Sequence, residues 1–276
     1  MLMPGAEHRY CVRHMYANFK DKFKGKELKD LMWTAAHSLT IQEFEVHTAK
    51  IASINPDAHA WLMTESPTLW ARCMFSPRSK CDILSNNMSE SFNHYINEAR
   101  DKPIITMMKM IRRQLMDRYQ EKREWVSKFP GPLCPRIFKH LENEKKEARS
   151  CEVMYAGGAI YEVFTTHRTH IADLGTHTCT CSKWDLTGIP CTHAIAAIIT
   201  DKRQPEDFVH DYYRIETLKL AYEPIITPIP DSNLWVHTEF DPIMPPKLRR
   251  PPGRPKKVRR KAVDEAQNPY RVRKNY

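Results

Sequence analysis

The sequence predicts an α+β chain, with helices through its first half, a small ββα metal-binding unit after residue 150 and a disordered basic tail. Three observations carry this. Apolar residues recur at helical spacing as far as about residue 125. Beyond Met154 the pattern turns to alternation, and three of the eight cysteines then fall with a histidine in one short segment. The last thirty residues carry twelve Lys and Arg against only Asp264 and Glu265, a net +10 equal to that of the whole chain.

His8 to Met15 enters structure at once, and the start of the chain reads as truncated. Residues 27–39 place Leu28, Leu31, Met32, Ala35 and Leu39 on one helical face, and 41–54 repeat this through Phe44, His47, Ile51 and Ile54 until Pro56. Trp61 and Trp70 lie in a less regular stretch. A further helix is predicted over 86–100, with Met88, Phe92, Tyr95, Ile96 and Ala99 on its face. A long one follows from Pro103 to about Trp125, striped by Ile104, Met107, Met108, Ile111, Leu115 and Tyr119. Its opposite face holds Arg112, Arg113, Arg118, Lys122 and Arg123, a solvated face or a nucleic-acid surface. Pro130-Gly131-Pro132 breaks the chain, and Glu142 to Arg149 reads as a short charged helix or linker. Tyr161–Phe164 alternates like a strand, 169–178 offers its partner, and His193–Ile199 makes a short apolar helix. Residues 224–252 are proline-rich and predicted to be extended.

A hydrophobic fraction of 41% suffices for a buried core. No apolar run approaches the roughly 18 residues that span a bilayer, so no membrane contact is expected. The opening residues lack the pattern of a secretory signal, and a reducing, intracellular setting is expected, where clustered cysteines point to metal rather than to disulfides.

The cluster reads Cys179-x-Cys181, nine residues, then Cys191-x-His193. Zinc takes four borderline-to-soft ligands in a tetrahedron, and Cys₃His is a common structural set. Four protein ligands leave no position for a reactive water, so Zn²⁺ here is structural. Gly188 and Pro190 make the turn that returns the chain to the metal, and Asp173 and His177 are read as bystanders. The stretch Tyr161 to Ile199 resembles a SWIM zinc finger, a ββα unit found in plant Mutator-like transposases and in regulators derived from them. That resemblance implies binding of DNA, or of a protein partner through the finger, rather than catalysis by the finger.

The rest of the chain is similar to a Mutator-like element (MULE) transposase. Cys11-Val12-Arg13-His14 matches the family's C-x-x-H motif, and Asn87-Met88-Ser89-Glu90-Ser91-Phe92-Asn93 matches the stretch with the glutamate of its Asp-Asp-Glu triad. The resemblance implies that the helical half is the C-terminal remnant of an RNase H-like core with a helical insertion. It assigns residues 1–130 to a truncated transposase core, 131–150 to a linker, 151–203 to the finger, 204–246 to a Pro-rich extended segment and 247–276 to the basic disordered tail. The family's chemistry is phosphoryl transfer by two carboxylate-held metal ions. Only Glu90 of that triad is matched, since the aspartates belong upstream of Cys11 and neither Asp21 nor Asp30 is placed for the role. Mg²⁺ or Mn²⁺ is expected only in a longer chain, and this one is not expected to catalyse transposition alone. Spacing offers another reading of Glu90: Asn87 and Glu90 form a capping box at a helix start. Cys11 and His14 read as a metal pair or a buried packing pair.

In the tail, Pro252-Gly253-Arg254-Pro255-Lys256-Lys257 resembles an AT-hook core without its leading arginine, and Pro255 to Lys261 reads as a nuclear localisation signal. Arg254, Lys256, Lys257, Arg259, Arg260 and Lys261 are its candidate DNA-contacting residues. The expected whole is a zinc-binding, DNA-binding nuclear protein derived from such a transposase. A domesticated transcriptional regulator and a finger-mediated interaction module are its alternatives.

Overall fold

The computed structural model of the protein describes residues 6–236 and residue 240. Of these, 6–227 form one compact unit, and 228–236 with 240 belong to a second. In the second, a single 3₁₀ turn spans Ser232–Leu234, and the Trp235 indole donates to the Pro230 carbonyl at 3.0 Å.

The first unit opens with four short helices, α1 (Val12–Lys22), α2 (Lys26–His37), α3 (Ile41–Ile54) and α4 (Pro56–Met63). Each start has a local cause. Thr40 caps α3 by accepting from the Glu43 N–H, and Glu43 stands three residues on, as in a capping box. Asn55 ends α3 and caps α4, where Pro56 takes the first position, a site that needs no N–H donor. Most of the predicted apolar stripes are buried: Leu28, Met32 and Ala35 of α2 meet Phe44 and Ile51 of α3 in one core with Phe19, Leu62 and Trp70, while Leu31, Leu39 and His47 are half-buried and Ile54 is exposed. Trp70 is fully buried although its neighbours form only 3₁₀ turns, and its ring packs against Phe44 at 5.4 Å.

Helix α5 (Asn87–Tyr95) and the long α6 (Ile104–Ser127) follow. Their outcome is mixed. Only Ala99 of the face predicted over 86–100 is buried, and Met88 is 80% exposed. On α6, Ile104, Ile105 and Met108 are exposed and Val126 is buried. The basic side chains of α6 lie over aromatic rings in part: Arg118 over Tyr95 and Lys122 over Trp125.

Residues 131–150, expected as a linker, hold helix α7 (Pro135–Ala148), which begins with a proline and buries Leu141, Glu144 and Ala148. Its stripe of Ile137, Leu141 and Ala148 joins the core of the following sheet, so the segment packs instead of spanning open water. That sheet has four antiparallel strands in sequence order: β1 (Glu152–Gly157), β2 (Ile160–Phe164), β3 (Thr169–Asp173) and β4 (Thr178–Cys179). The predicted pair is β2 with β3, in register Val163 to His170. Strand β1 adds to its edge through a hairpin at Gly157-Gly158, both at positive φ, a region that suits glycine. Helices α8 (Lys183–Thr187) and α9 (Thr192–Thr200) then cover the sheet.

The Pro-rich segment expected over 204–246 is not extended at its start. Phe208, Val209 and Ile215 are buried, and α10 (Ile215–Tyr222) follows. Its Tyr222 meets Tyr119 of α6 edge-on at 5.3 Å. Among the described residues every strand lies between 152 and 179. The described residues of the helical half thus display no sheet of an RNase H-like core, and the one isolated bridge among the described residues, Leu133 to Arg214, lies outside it. The architecture is a mixed helical fold with one small antiparallel sheet.

Candidate metal centre

Strand β4 ends on Cys179, and the chain turns through Ser182, at φ 60°, into α8, so that Cys179 and Cys181 flank a tight corner. Helix α8 stops at Gly188, whose φ of +70° is a left-handed cap. Ile189 and Pro190 bring the chain back to Cys191, which caps α9 by accepting from the Ala194 N–H at 3.5 Å. One helical step on, His193 turns its imidazole toward the sulfurs. Sequence therefore places two ligands on a corner and two on a helix start, with the sheet beneath them.

The result is one compact donor set. The ligand atoms of Cys179, Cys181, Cys191 and His193 all lie within 4.8 Å of one another. His193 Nδ1 is 3.8 Å from the sulfurs of both Cys179 and Cys191. A tetrahedral zinc with Zn–S of about 2.3 Å and Zn–N of about 2.0 Å sets its ligands roughly 3.6 Å apart, so the set has the size zinc needs. Cys179 and Cys191 are buried, and Cys181 and His193 are half-buried. The three thiols perturb one another. Hydrogen bonds from Cys179 and Cys191 hold Cys181 far below the usual thiol value. Donation to Cys181 pushes Cys179 up to about 12, and Cys191 is driven up by its two sulfur neighbours and then by burial. A divalent cation removes that conflict by letting all three ionise. The four residues form a Cys₃His site for structural Zn²⁺.

Groups around the ligands fix their posture. The Asp185 carboxylate accepts from the Cys179 N–H at 3.0 Å. The His170 ring of β3 stacks on His193 with centroids 3.9 Å apart, and burial lowers its pKa. Neither Asp173 nor His177 belongs to the donor set. Asp173 closes its own turn by accepting from the Gly175 and Thr176 N–H groups, and His177 stacks on Trp184 at 5.2 Å.

Gly188 supports the first prediction. A Cβ there would stand 2.7 Å from the Cβ of His210, besides requiring a left-handed backbone. Gly188→Ala is expected to destabilise the fold by about 1–3 kcal/mol, a cost set by the strained conformation. Thermal melting of the variant against wild type checks it, and an unchanged midpoint would show that the turn has another conformation open to it.

The other predicted site residues are placed as follows. Glu90 lies near the start of α5, but the helix cap is Asn86, which accepts from the Ser89 N–H at 3.4 Å, so the capping box expected from Asn87 and Glu90 does not form. Glu90 faces α1 instead: its carboxylate oxygens lie 3.4 Å from His14 Nε2 and 3.7 Å from the Arg13 guanidinium. The Cys11 sulfur accepts from the Asn86 N–H at 3.4 Å. His14 is 64% exposed at its side chain, so Cys11 and His14 are not a buried packing pair. Arg254, Lys256, Lys257, Arg259, Arg260 and Lys261 lie outside the described residues. No described helix is long and apolar enough to cross a membrane.

Spacing does not point to Glu144, yet this buried carboxylate bonds side chains next to both ligand pairs. It accepts from Lys183 Nζ with Oε1 and from the Thr192 hydroxyl with Oε2, both at 2.7 Å. Burial pushes its pKa up, and the Lys183 and Thr192 hydrogen bonds more than offset this, leaving it lowered. The available signal was a carboxylate within the apolar stripe Ile137, Leu141, Ala148, where an unpaired charge would be costly.

Compared with known families, residues 161–202 match the SWIM zinc finger. No curated protein and no solved structure matches the chain.

Proposed function

We propose that this chain is a DNA-binding protein of Mutator-like transposase descent, with its finger held by zinc and its basic tail engaging the phosphate backbone in the nucleus. The observation that carries the reading is the meeting of two motifs about eighty residues apart. Cys11-x-x-His14 and the segment with Glu90 lie against each other, His14 to Glu90 at 3.4 Å and Cys11 to Asn86 at 3.4 Å. Two matches that were separate in sequence are one locality in the fold. Glu90 is there as a relic of the triad, pairing with Arg13 and His14. The zinc, with four protein ligands, organises the fold and takes no part in chemistry.

The tail is assigned the larger share of affinity because the rest of the chain is charge-neutral. Each neutralised phosphate contributes roughly 0.9 to the slope of log affinity against log salt, so six contacts give a slope of about −5. Deleting residues 247–276 is expected to remove most of that slope and to weaken duplex binding by about 100-fold or more at low salt. Fluorescence anisotropy on a duplex across a salt series measures both. Equal affinity and slope with and without the tail would sink the reading.

A second reading, a protein-interaction module, is favoured by one feature. Met154, Ile160 and Ile171 expose apolar side chains on the strands of the finger's sheet. Under it, the tail deletion leaves partner binding intact and Ile171→Glu abolishes it.

A further inference from the structure

Helix α7 lies outside the segment that matches the zinc finger, yet one of its side chains reaches both halves of the metal site. Glu144 is only 6% exposed. Its Oε1 takes the Lys183 ammonium, two residues after the ligand Cys181, and its Oε2 takes the hydroxyl of Thr192, the residue between the ligands Cys191 and His193. His140, one turn earlier on α7, stands 3.7 Å from the same Oε1. The two ligand pairs thus come from separate corners of the chain, and a single carboxylate ties a side chain beside one pair to a side chain beside the other. The helix itself is anchored by Leu141 and Ala148 in the core of the finger, so the carboxylate is held on a rigid support.

We propose that Glu144 is a positioning residue for zinc: it clamps the Cys179-x-Cys181 corner to the start of α9, and thereby slows release of the metal. The functional finger then extends upstream to include α7. The physical reason is register. Four ligands must meet within a few tenths of an ångström of tetrahedral geometry, and the two pairs are joined by nine residues of which α8 is only a short helix. Freed of the clamp, the corner and the helix start separate more readily, and each separation exposes a sulfur to competing ligands. Outer partners of this kind typically change metal affinity by about 10–100-fold when removed.

Lys145 provides the control. From the same helix it donates to Glu142 at 2.9 Å and to Glu206 at 2.6 Å, so it also fastens α7 to the unit, but it touches neither ligand segment. The experiment is zinc release from the full chain to a chromophoric chelator in excess, for wild type, Glu144→Ala, Glu144→Gln and Lys145→Ala, with a melting curve for each. The expected result is release about 10–100-fold faster for Glu144→Ala, an intermediate rate for Glu144→Gln, which keeps one acceptor oxygen, and a near wild-type rate for Lys145→Ala. If Glu144→Ala does not fold, Glu144→Gln against Lys145→Ala decides alone. Equal release from the Glu144 and Lys145 variants at equal melting loss would reduce Glu144 to a general helix anchor and overturn the proposal, as would a wild-type rate in the Glu144 variants. Wild-type protein with no zinc at all would overturn the metal site and the clamp together, a result that zinc content reports before any release is measured.

Discussion

Cys191→Ser is expected to empty the metal site and unfold the sheet and the helix that rest on it. Cys191 is a ligand, it is 1% exposed in the core, and its sulfur caps α9. Serine can still cap a helix, so loss of α9 in this variant would report the metal and not the cap. Serine is a poor replacement for a soft thiolate ligand, and the remaining three donors hold zinc far less well. Structural zinc contributes about 10–16 kcal/mol in zinc-finger peptides. The loss here should approach the lower end, because a sizeable apolar core (Leu141, Val163, Trp184, Ile195 and Ile198 among it) supports the unit in addition to the ion. Elemental analysis should fall from near one zinc per chain to near zero, with lost ellipticity and a melting transition shared by chelator-treated wild type. Zinc retained at wild-type stoichiometry would remove Cys191 from the donor set. An unchanged melting curve without zinc would mean that the core folds unaided.

Two parts of the structure were open to sequence reasoning, for different reasons. The four metal ligands were legible because a ligand set is a local pattern: two three-residue motifs, a spacer and a Gly-x-Pro turn specify the corner and the return. Helices α2 and α3 were legible because Leu28, Met32 and Ala35, and then Phe44 and Ile51, recur at helical spacing, and Pro56 marks the limit of α3. Where the pattern misled, packing had the deciding voice. The stripe Met88, Phe92, Tyr95 promises a buried face, yet Met88 and Phe92 are exposed and the buried Ala99 lies beyond the end of α5. Periodicity says which residues share a side and is silent on whether anything lies against it. Strand β1 has three exposed residues in a row, Met154, Tyr155 and Ala156, so no clean alternation announces it; it forms because the Gly157-Gly158 turn folds it onto β2.

Helix α7 was hidden by its charges. Read as composition, Glu142 to Arg149 is a short charged helix or a linker, and only its contacts show that Lys145 meets Glu206 and that Glu144 meets Lys183 and Thr192. All three are long-range pairs, which spacing along the chain does not encode. The same holds for Glu90. Its neighbours His14 and Arg13 are about seventy-five residues away, so local logic offers only a capping box, and the cap belongs to Asn86.

Trp184→Ala is expected to separate the stability of the finger from its capacity for metal. The indole is 1% exposed, stacked by His177 at an interplanar angle of 13° and met edge-on by Phe208 at 6.0 Å. It is thereby the side chain that joins the corner after Cys181 to the segment after α9. Removing a buried tryptophan leaves a cavity and costs about 3–5 kcal/mol. For a unit of this size, that lowers the melting midpoint by roughly 10 °C. No ligand atom is altered, and Asp185, one residue on, still accepts from the Cys179 N–H. Zinc should therefore stay near one per chain at 20 °C, with an earlier melt, opposite to Cys191→Ser, in which zinc itself is lost. Leu186 of the same short helix packs into the core of the helical half while Trp184 packs into that of the finger, so α8 is the element through which the two cores share load. Should the two halves of the first unit melt together in wild type but in two steps in Trp184→Ala, α8 is the coupling element. A single transition at the wild-type temperature would show that Trp184 contributes far less than its burial implies.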